Sequence, residues 1–292
     1  MLLLDAAFFF AIGAAFAFAF ADFGMRYGLQ HTDPFVGSMM WPFAAVTTLL
    51  AVIVVLGVRF PPFGEEYLWM AVAGAFGPGL FTIFFMLGIT KIGVARAAPM
   101  KGCTPLVAAL LAIIFLGEKP EWYQLGGVVL VVSGIALVAS GKTEGRWRRI
   151  DALWPIAAAL CGAFGLVFWR KGIVAFSDPI AGAFVGVLAA FTVTSLYAVA
   201  ATRKQIPDGI KKAWKPFLVV GILAAIGQVC LANALQRGEV FRMVPVIQIS
   251  PLITVAMALL LLRHVEFITW RVPAGAMLTL SGAILVNLRL PH

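Results

Sequence analysis

The chain has 292 residues, of which 62% are hydrophobic and 12% charged, with a formal net charge of +9 and a mean hydropathy of +1.00. Soluble domains are about 45–50% apolar and about 25% charged. This composition therefore excludes an ordinary water-soluble domain and makes lipid the solvent for most of the chain. The basic excess is not a nucleic-acid site, because no basic stretch is interleaved with a binding module. Cys103, Cys161 and Cys230 lie far apart in apolar stretches without metal-ligand spacing, and read as small buried hydrophobes.

A helical span needs about 20 mostly apolar residues. Ten such spans are expected, near 6–28, 34–57, 67–89, 93–116, 121–140, 152–174, 179–201, 216–235, 240–262 and 268–288. The runs are continuously apolar rather than alternating, which favours helices over a barrel. The start MLLLDAAFFF carries no basic n-region, so it reads as an uncleaved first span.

One stretch occurs twice. Val94, Arg96, Pro99, Pro105, Leu106, Ala112 and Leu116 recur in register as Val240, Arg242, Pro245, Pro251, Leu252, Ala258 and Leu262. Asp33-Pro34 likewise recurs as Asp178-Pro179, and Ser133-Gly134 as Ser281-Gly282. The expected division is a first five-helix repeat over 1–140, a basic linker over 141–150 and a second repeat over 151–292. An odd number of crossings inverts the second copy relative to the first. That is a plan of many secondary transporters, whose substrate site lies near the midplane between repeats. The expected fold is an all-α integral membrane protein of ten transmembrane helices in two inverted five-helix repeats. Duplication in a receptor or structural protein is the alternative.

Ten spans in two halves resemble the drug/metabolite transporter superfamily, specifically its EamA-type members. The sharpest likeness is Pro105 to Glu118, ending Leu116-Gly117-Glu118, followed by Gly126-Gly127 and Ser133-Gly134. The second half departs from it, with Leu262-Arg263-His264 in place of Leu-Gly-Glu, which argues against a transport role for the loop glutamate. The resemblance implies a proton-linked or facilitated carrier of the plasma (bacterial inner) membrane. Such a carrier is often an exporter of amino acids or other small metabolites. It also implies a central cavity bounded by helices 3, 4, 8 and 9, and both termini inside. The charge distribution points the other way. Most of the Lys and Arg, including those of 141–151 and 202–215, fall on one side, which the positive-inside rule places in the cytoplasm, leaving both termini outside.

Ionisable residues within spans are functional candidates by default. Arg96 and Arg242 begin helices 4 and 9, where free backbone N–H groups already favour an anion. They would attract a substrate carboxylate or phosphate, or gate the two entrances, or else snorkel to headgroups. Lys101 lies about 140° round the helix from Arg96; its repeat counterpart is Ile247, so it breaks the symmetry, as a substrate-binding or titrating group would. Pro99, Pro105, Pro245 and Pro251 each free a carbonyl that can line a cavity, or serve a packing kink. Asp22 could carry a coupling proton or pair with Arg26. Gln228, Asn233 and Gln248 suit a polar substrate or interhelical hydrogen bonds. Trp41, Phe84, Phe85 and Trp169 would line a pocket or simply pack. Gly24/Gly28 and Gly182/Gly186 are close-approach pairs.

ALVASGKT, residues 136–143, resembles a P-loop but lacks the preceding strand and following helix that such a loop requires. No enzyme and no cofactor are expected. The leading reading is a secondary active transporter, an exporter or exchanger of a small polar metabolite such as an amino acid or another carboxylate- or phosphate-bearing solute. It would work by alternating access, as a monomer or homodimer, with membrane lipid as its other partner. A lipid-linked headgroup flippase, or a non-transporting receptor or assembly protein, are the alternatives.

Overall fold

A computed structural model describes residues 5–92, 97, 100, 103–139, 148–176, 178–261 and 271–288. Arg96, Pro99 and Lys101 lie outside the described residues. The described chain is helical: α1 (Ala6–Gly28), α2 (Pro34–Leu56), α3 (Glu65–Ile92), α4 (Thr104–Leu116), α5 (Trp122–Ala139), α6 (Leu153–Ala175), α7 (Pro179–Thr202), α8 (Ile206–Arg237), α9 (Val240–Ile247), α10 (Ser250–Leu261) and α11 (Arg271–Asn287). Five helical runs are long and apolar enough to cross a membrane: Ala6–Met25, Pro34–Leu56, Glu65–Ile92, Arg149–Ala175 and Pro179–Arg237, the last joining α7 and α8.

Local chemistry sets most helix ends. The Asp33 carboxylate accepts from the Phe35 N–H at 2.8 Å, and its repeat counterpart Asp178 accepts from Ile180 at 2.7 Å. In both, proline follows as the first helical residue, where its missing N–H costs nothing. Gly57 and Gly117 end α2 and α4 with φ of 62° and 66°, a conformation that glycine adopts without strain.

Three elements differ from the hydropathy reading. Helix α8 starts ten residues earlier than expected, because Lys211, Lys212 and Lys215 sit in good helical sequence that an apolar window passes over. Helix α3 carries a π-helical stretch, Ala75–Phe81, around Pro78, and the Thr82 hydroxyl donates to the Pro78 carbonyl at 2.6 Å. The expected ninth span is two helices, α9 and α10, separated at Gln248–Ile249. Cys161 is buried, but Cys103 is exposed at the turn before α4 and does not act as a core residue.

The two halves interlock. Helix α1 lies along α8 as α3 lies along α6. In the same way α2 meets α8 as α7 meets α3, while α2–α7 and α5–α11 are pairs of corresponding helices. Exchanging each helix for its counterpart leaves this neighbour pattern unchanged. Small residues make the contacts possible. Ala7, Ala11, Ala14 and Ala21 give α1 a buried alanine stripe. A Cβ on Gly165 would come within 2.4 Å of the Gly77 Cα, and one on Gly74 within 1.8 Å of the Gly186 carbonyl oxygen. Lipid tails remove the usual hydrophobic drive between helices, so close backbone approach and packing must supply the association.

Gly74→Ala therefore forces backbones apart and should cost about 1–3 kcal/mol, read as a lower melting temperature in detergent. Gly126→Ala meets nothing within 4 Å and should melt like the parent protein. Equal melting of the two variants would contradict the close α3–α7 crossing.

Candidate functional site

Charged groups from both halves gather where α1, α5 and α9 begin and α4, α6 and α8 end. Gly117 turns the chain at the end of α4 and presents Glu118, 8% exposed, to the second half. Its two carboxylate oxygens accept from the N–H groups of Val240 (2.8 Å) and Phe241 (3.1 Å). These are the first amides of α9, a helix whose own cap residue, Glu239, makes no capping bond. A helix N-terminus has unsatisfied donors and favours negative charge, so a residue of the first half completes a helix of the second. Arg170 on α6 donates to the carbonyl of Leu235 in the last turn of α8 and attracts both Glu118 and Glu239. Nearby, Gln236 donates to the carbonyls of Phe176 (2.8 Å) and Ile173 (3.3 Å).

Burial pushes the Glu118 carboxyl above its ordinary range. The two backbone N–H groups oppose this, Glu239 adds to it, and Arg170 counters it.

The structure places the other predicted residues as follows. Arg242 is buried at the start of α9, with its Nη2 3.3 Å from Oδ2 of Asp5, the residue that caps α1 through the Phe8 N–H. Its Nε is buried without a partner. Gln228 is buried on α8, and its Oε1 has no donor. Asn233 donates to the Val229 carbonyl at 2.9 Å and accepts from Arg237. Gln248 stands at the α9–α10 break, half-buried, and its N–H donates to the Val244 carbonyl. Pro245 lies inside α9 and Pro105 in the first turn of α4, both buried; Pro251 lies in the first turn of α10. Asp22 occupies an exposed position on α1. Trp41 and Trp169 are core residues, with Trp169 against Gly186. Asp5, Arg242, Glu118 and α9 thus meet at one end, while Gln228 and Asp22 stand elsewhere on their helices.

Sequence reasoning passed over Glu118 except as a motif residue. Its carboxylate and the amides it caps are 122 and 123 residues apart. Among the described residues no group of His, Cys, Asp and Glu could hold a metal.

With this geometry in hand, comparison with known proteins places the chain in a class. It matches the EamA-like transporter family twice, over residues 5–140 and 149–288. The chain belongs to that family, whose members are transporters, and its long apolar helices fit a multi-pass membrane protein. It is 30% identical over 104 residues to a probable terminal-alkyne amino-acid exporter of Streptantibioticus cattleyicolor, covering 36% of this chain and 34% of that protein. It is 28% identical over 101 residues to phosphoenolpyruvate/phosphate translocator 1, chloroplastic, of Arabidopsis thaliana, covering 35% of this chain and 24% of that protein. The chain thus spans about a third of the first of these relatives and about a quarter of the second. A solved structure described only as "Crystal structure of protein" shares the fold, with a TM-score of 0.81 and 14% identity over 97% of this chain and 99% of that one.

Glu118→Ala leaves two amides of α9 without acceptors and should cost about 1–3 kcal/mol at neutral pH; Glu118→Gln, with one accepting oxygen, should cost less. The folded carboxyl titrates above its ordinary 4.5. The folded protein therefore keeps a proton that the unfolded chain has released, and the stability this contributes is full below 4.5 and lost as pH rises through the folded value. The melting temperature of the parent protein should fall relative to Glu118→Gln as pH rises above 4.5. A difference independent of pH would contradict a buried carboxyl.

Proposed function

We propose that the protein is a secondary active transporter, an exporter or exchanger of a small polar solute bearing a carboxylate or phosphate, with two inverted five-helix halves that give alternating access. The exchange-symmetric neighbour pattern supports the two halves, which would divide at the 141–150 linker, and α9 with α10 would form one interrupted crossing. The observation that carries the reading is that interruption. Pro245 and Pro251 remove the N–H groups that would bond the carbonyls of Phe241 and Ile247, and Gln248–Ile249 leaves the helix between them. Such backbone is tolerated at membrane depth where it is buried in protein or lines a cavity, and interrupted helices build transporter sites. The π-helical stretch of α3 is a second irregularity of the kind that gathers at functional sites.

In this reading Arg96, Lys101 and Arg242 draw the anionic group. Gln228, Asn233 and Gln248 orient polar groups, the unpaired Gln228 Oε1 accepting from a substrate N–H or O–H. Asp22 carries the coupling proton. Pro99 and Pro105 are the first-repeat counterparts of Pro245 and Pro251 and would free carbonyls in the same way. Two relatives whose names specify an amino acid and phosphoenolpyruvate/phosphate favour a solute that bears a carboxylate or phosphate.

The test is counterflow in liposomes containing the purified protein, with labelled amino acids, a three-carbon phosphate ester and a neutral sugar. Saturable, protein-dependent accumulation of a carboxylate- or phosphate-bearing solute is expected. Gln228→Leu should raise its KM about tenfold, or 1.4 kcal/mol. Failure of every anionic solute to exchange, in protein that melts cooperatively, would overturn the assignment.

A further inference from the structure

Two apolar clefts open on the outside of the bundle, and they are copies of one another. One, of about 490 Å³, lies between α3 and α7; the other, of about 370 Å³, lies between α2 and α8 with Phe191 of α7 at its side. The α7 wall of the first contains Val185, Leu188, Ala189 and Thr192. The α2 wall of the second contains their repeat counterparts Met40, Phe43, Ala44 and Thr47. Ala71 and Val72 correspond likewise to Phe217 and Leu218. Each threonine hydroxyl is spent on its own helix, Thr47 on the Ala44 carbonyl and Thr192 on the Leu188 carbonyl, both at 2.9 Å. Both clefts therefore offer a ligand an almost wholly apolar wall.

Their rims differ in charge balance. At the end of the α2–α8 cleft, residues 203–215 hold Arg203, Lys204, Lys211, Lys212 and Lys215 against one carboxylate, Asp208. All five cations are exposed. Lys211, Trp214, Lys215 and Leu218 share one stripe of α8, at spacings of three and four residues, and Trp214 and Leu218 line the cleft. The Lys215 ammonium lies 5.7 Å from the Trp214 ring centroid, and Trp214 is 51% exposed. In the other copy the residues matching Lys211 and Lys212 are Glu65 and Glu66.

We propose that the α2–α8 cleft is a binding site for one anionic phospholipid. An acyl chain lies against Met39, Phe43 and Phe191, and the headgroup phosphate meets Lys211 and Lys215 beside the Trp214 ring. Charge complementarity selects this occupant. An apolar wall alone accepts any lipid tail, whereas a basic rim beside it selects an anionic headgroup, and an interfacial tryptophan marks the depth at which that headgroup sits. The α3–α7 cleft has glutamates at the positions matching Lys211 and Lys212, and an ammonium, Lys171, 3.7 Å from the ring centroid of Trp69, which stands where Lys215 does; its rim is mixed where the other is basic.

The test uses the full-length protein in phosphatidylcholine vesicles, with brominated phosphatidylglycerol or brominated phosphatidylcholine as quencher. The Trp214 signal is taken as the difference between the parent protein and Trp214→Phe. Half-quenching by the anionic lipid is expected at about tenfold lower mole fraction. The combined Lys211→Glu, Lys212→Glu and Lys215→Gln variant should quench equally with both lipids. Thr47→Phe, which fills the cleft and leaves every lysine in place, should also lose the preference. Both variants are checked for an unchanged melting temperature; if Thr47→Phe shifts it, Thr47→Leu replaces it. Equal quenching of the parent by the two lipids would overturn the site. So would a preference that survives the lysine changes, or one that survives filling the cleft, since the latter is surface attraction alone.

Discussion

Close backbone contact between helices of different halves holds this molecule together. In lipid, apolar side chains gain nothing by leaving their surroundings for each other, so two helices adhere only where their surfaces come near enough for dispersion and polar contacts to accumulate. Here the near approaches are Gly165 on Gly77, Gly74 on Gly186, and Gly221 of α8 on Ala44 of α2. Each joins a helix of residues 1–140 to one of residues 151–292. The core of either half is thus largely the surface of the other. The same interlocking explains why the neighbour pattern survives exchange of the halves, and why two outer clefts recur with equivalent walls.

The charged end adds a different kind of tie. Glu118 lends its carboxylate to the first amides of α9, Arg170 reaches the last turn of α8, and Asp5 meets Arg242. Each link joins groups that would otherwise be unsatisfied helix ends or buried charges. Movement that opens this end must part Glu118 from α9 and leave both unanswered. The interruption at Gln248–Ile249 lies one helix of eight residues further along, so α9 is a short element held at its start by the first half and closed at its finish by the Gln248 N–H on the Val244 carbonyl.

Much of this was legible in the sequence where the signal is local. Asp33-Pro34 and Asp178-Pro179 are helix starts by their chemistry, and both cap as such. The glycine pairs Gly24/Gly28 and Gly182/Gly186 meet neighbouring helices, Gly28 against Phe217 and Gly186 against Trp169. The prolines of the expected ninth span announced a disturbance, though not the two-residue break. The beginning of α8 was hidden because lysines lower hydropathy without opposing helix. Glu118 was hidden for a stronger reason: a cap supplied from across the molecule leaves no mark near the helix it serves. The π-helical stretch around Pro78 depends on packing that a linear pattern does not contain.

Opposite orientation of the two copies is the claim on which the transport reading stands, and sidedness tests it directly. In a background with Cys103, Cys161 and Cys230 replaced by serine or alanine, single cysteines at Phe63 and at Lys204 mark corresponding connections, after α2 and after α7, and both positions are exposed. An impermeant thiol reagent applied to one face of sealed membranes should label one of the two and spare the other, with the assignment reversed in inverted vesicles. Labelling of both cysteines from the same face would show parallel copies and contradict the inverted arrangement.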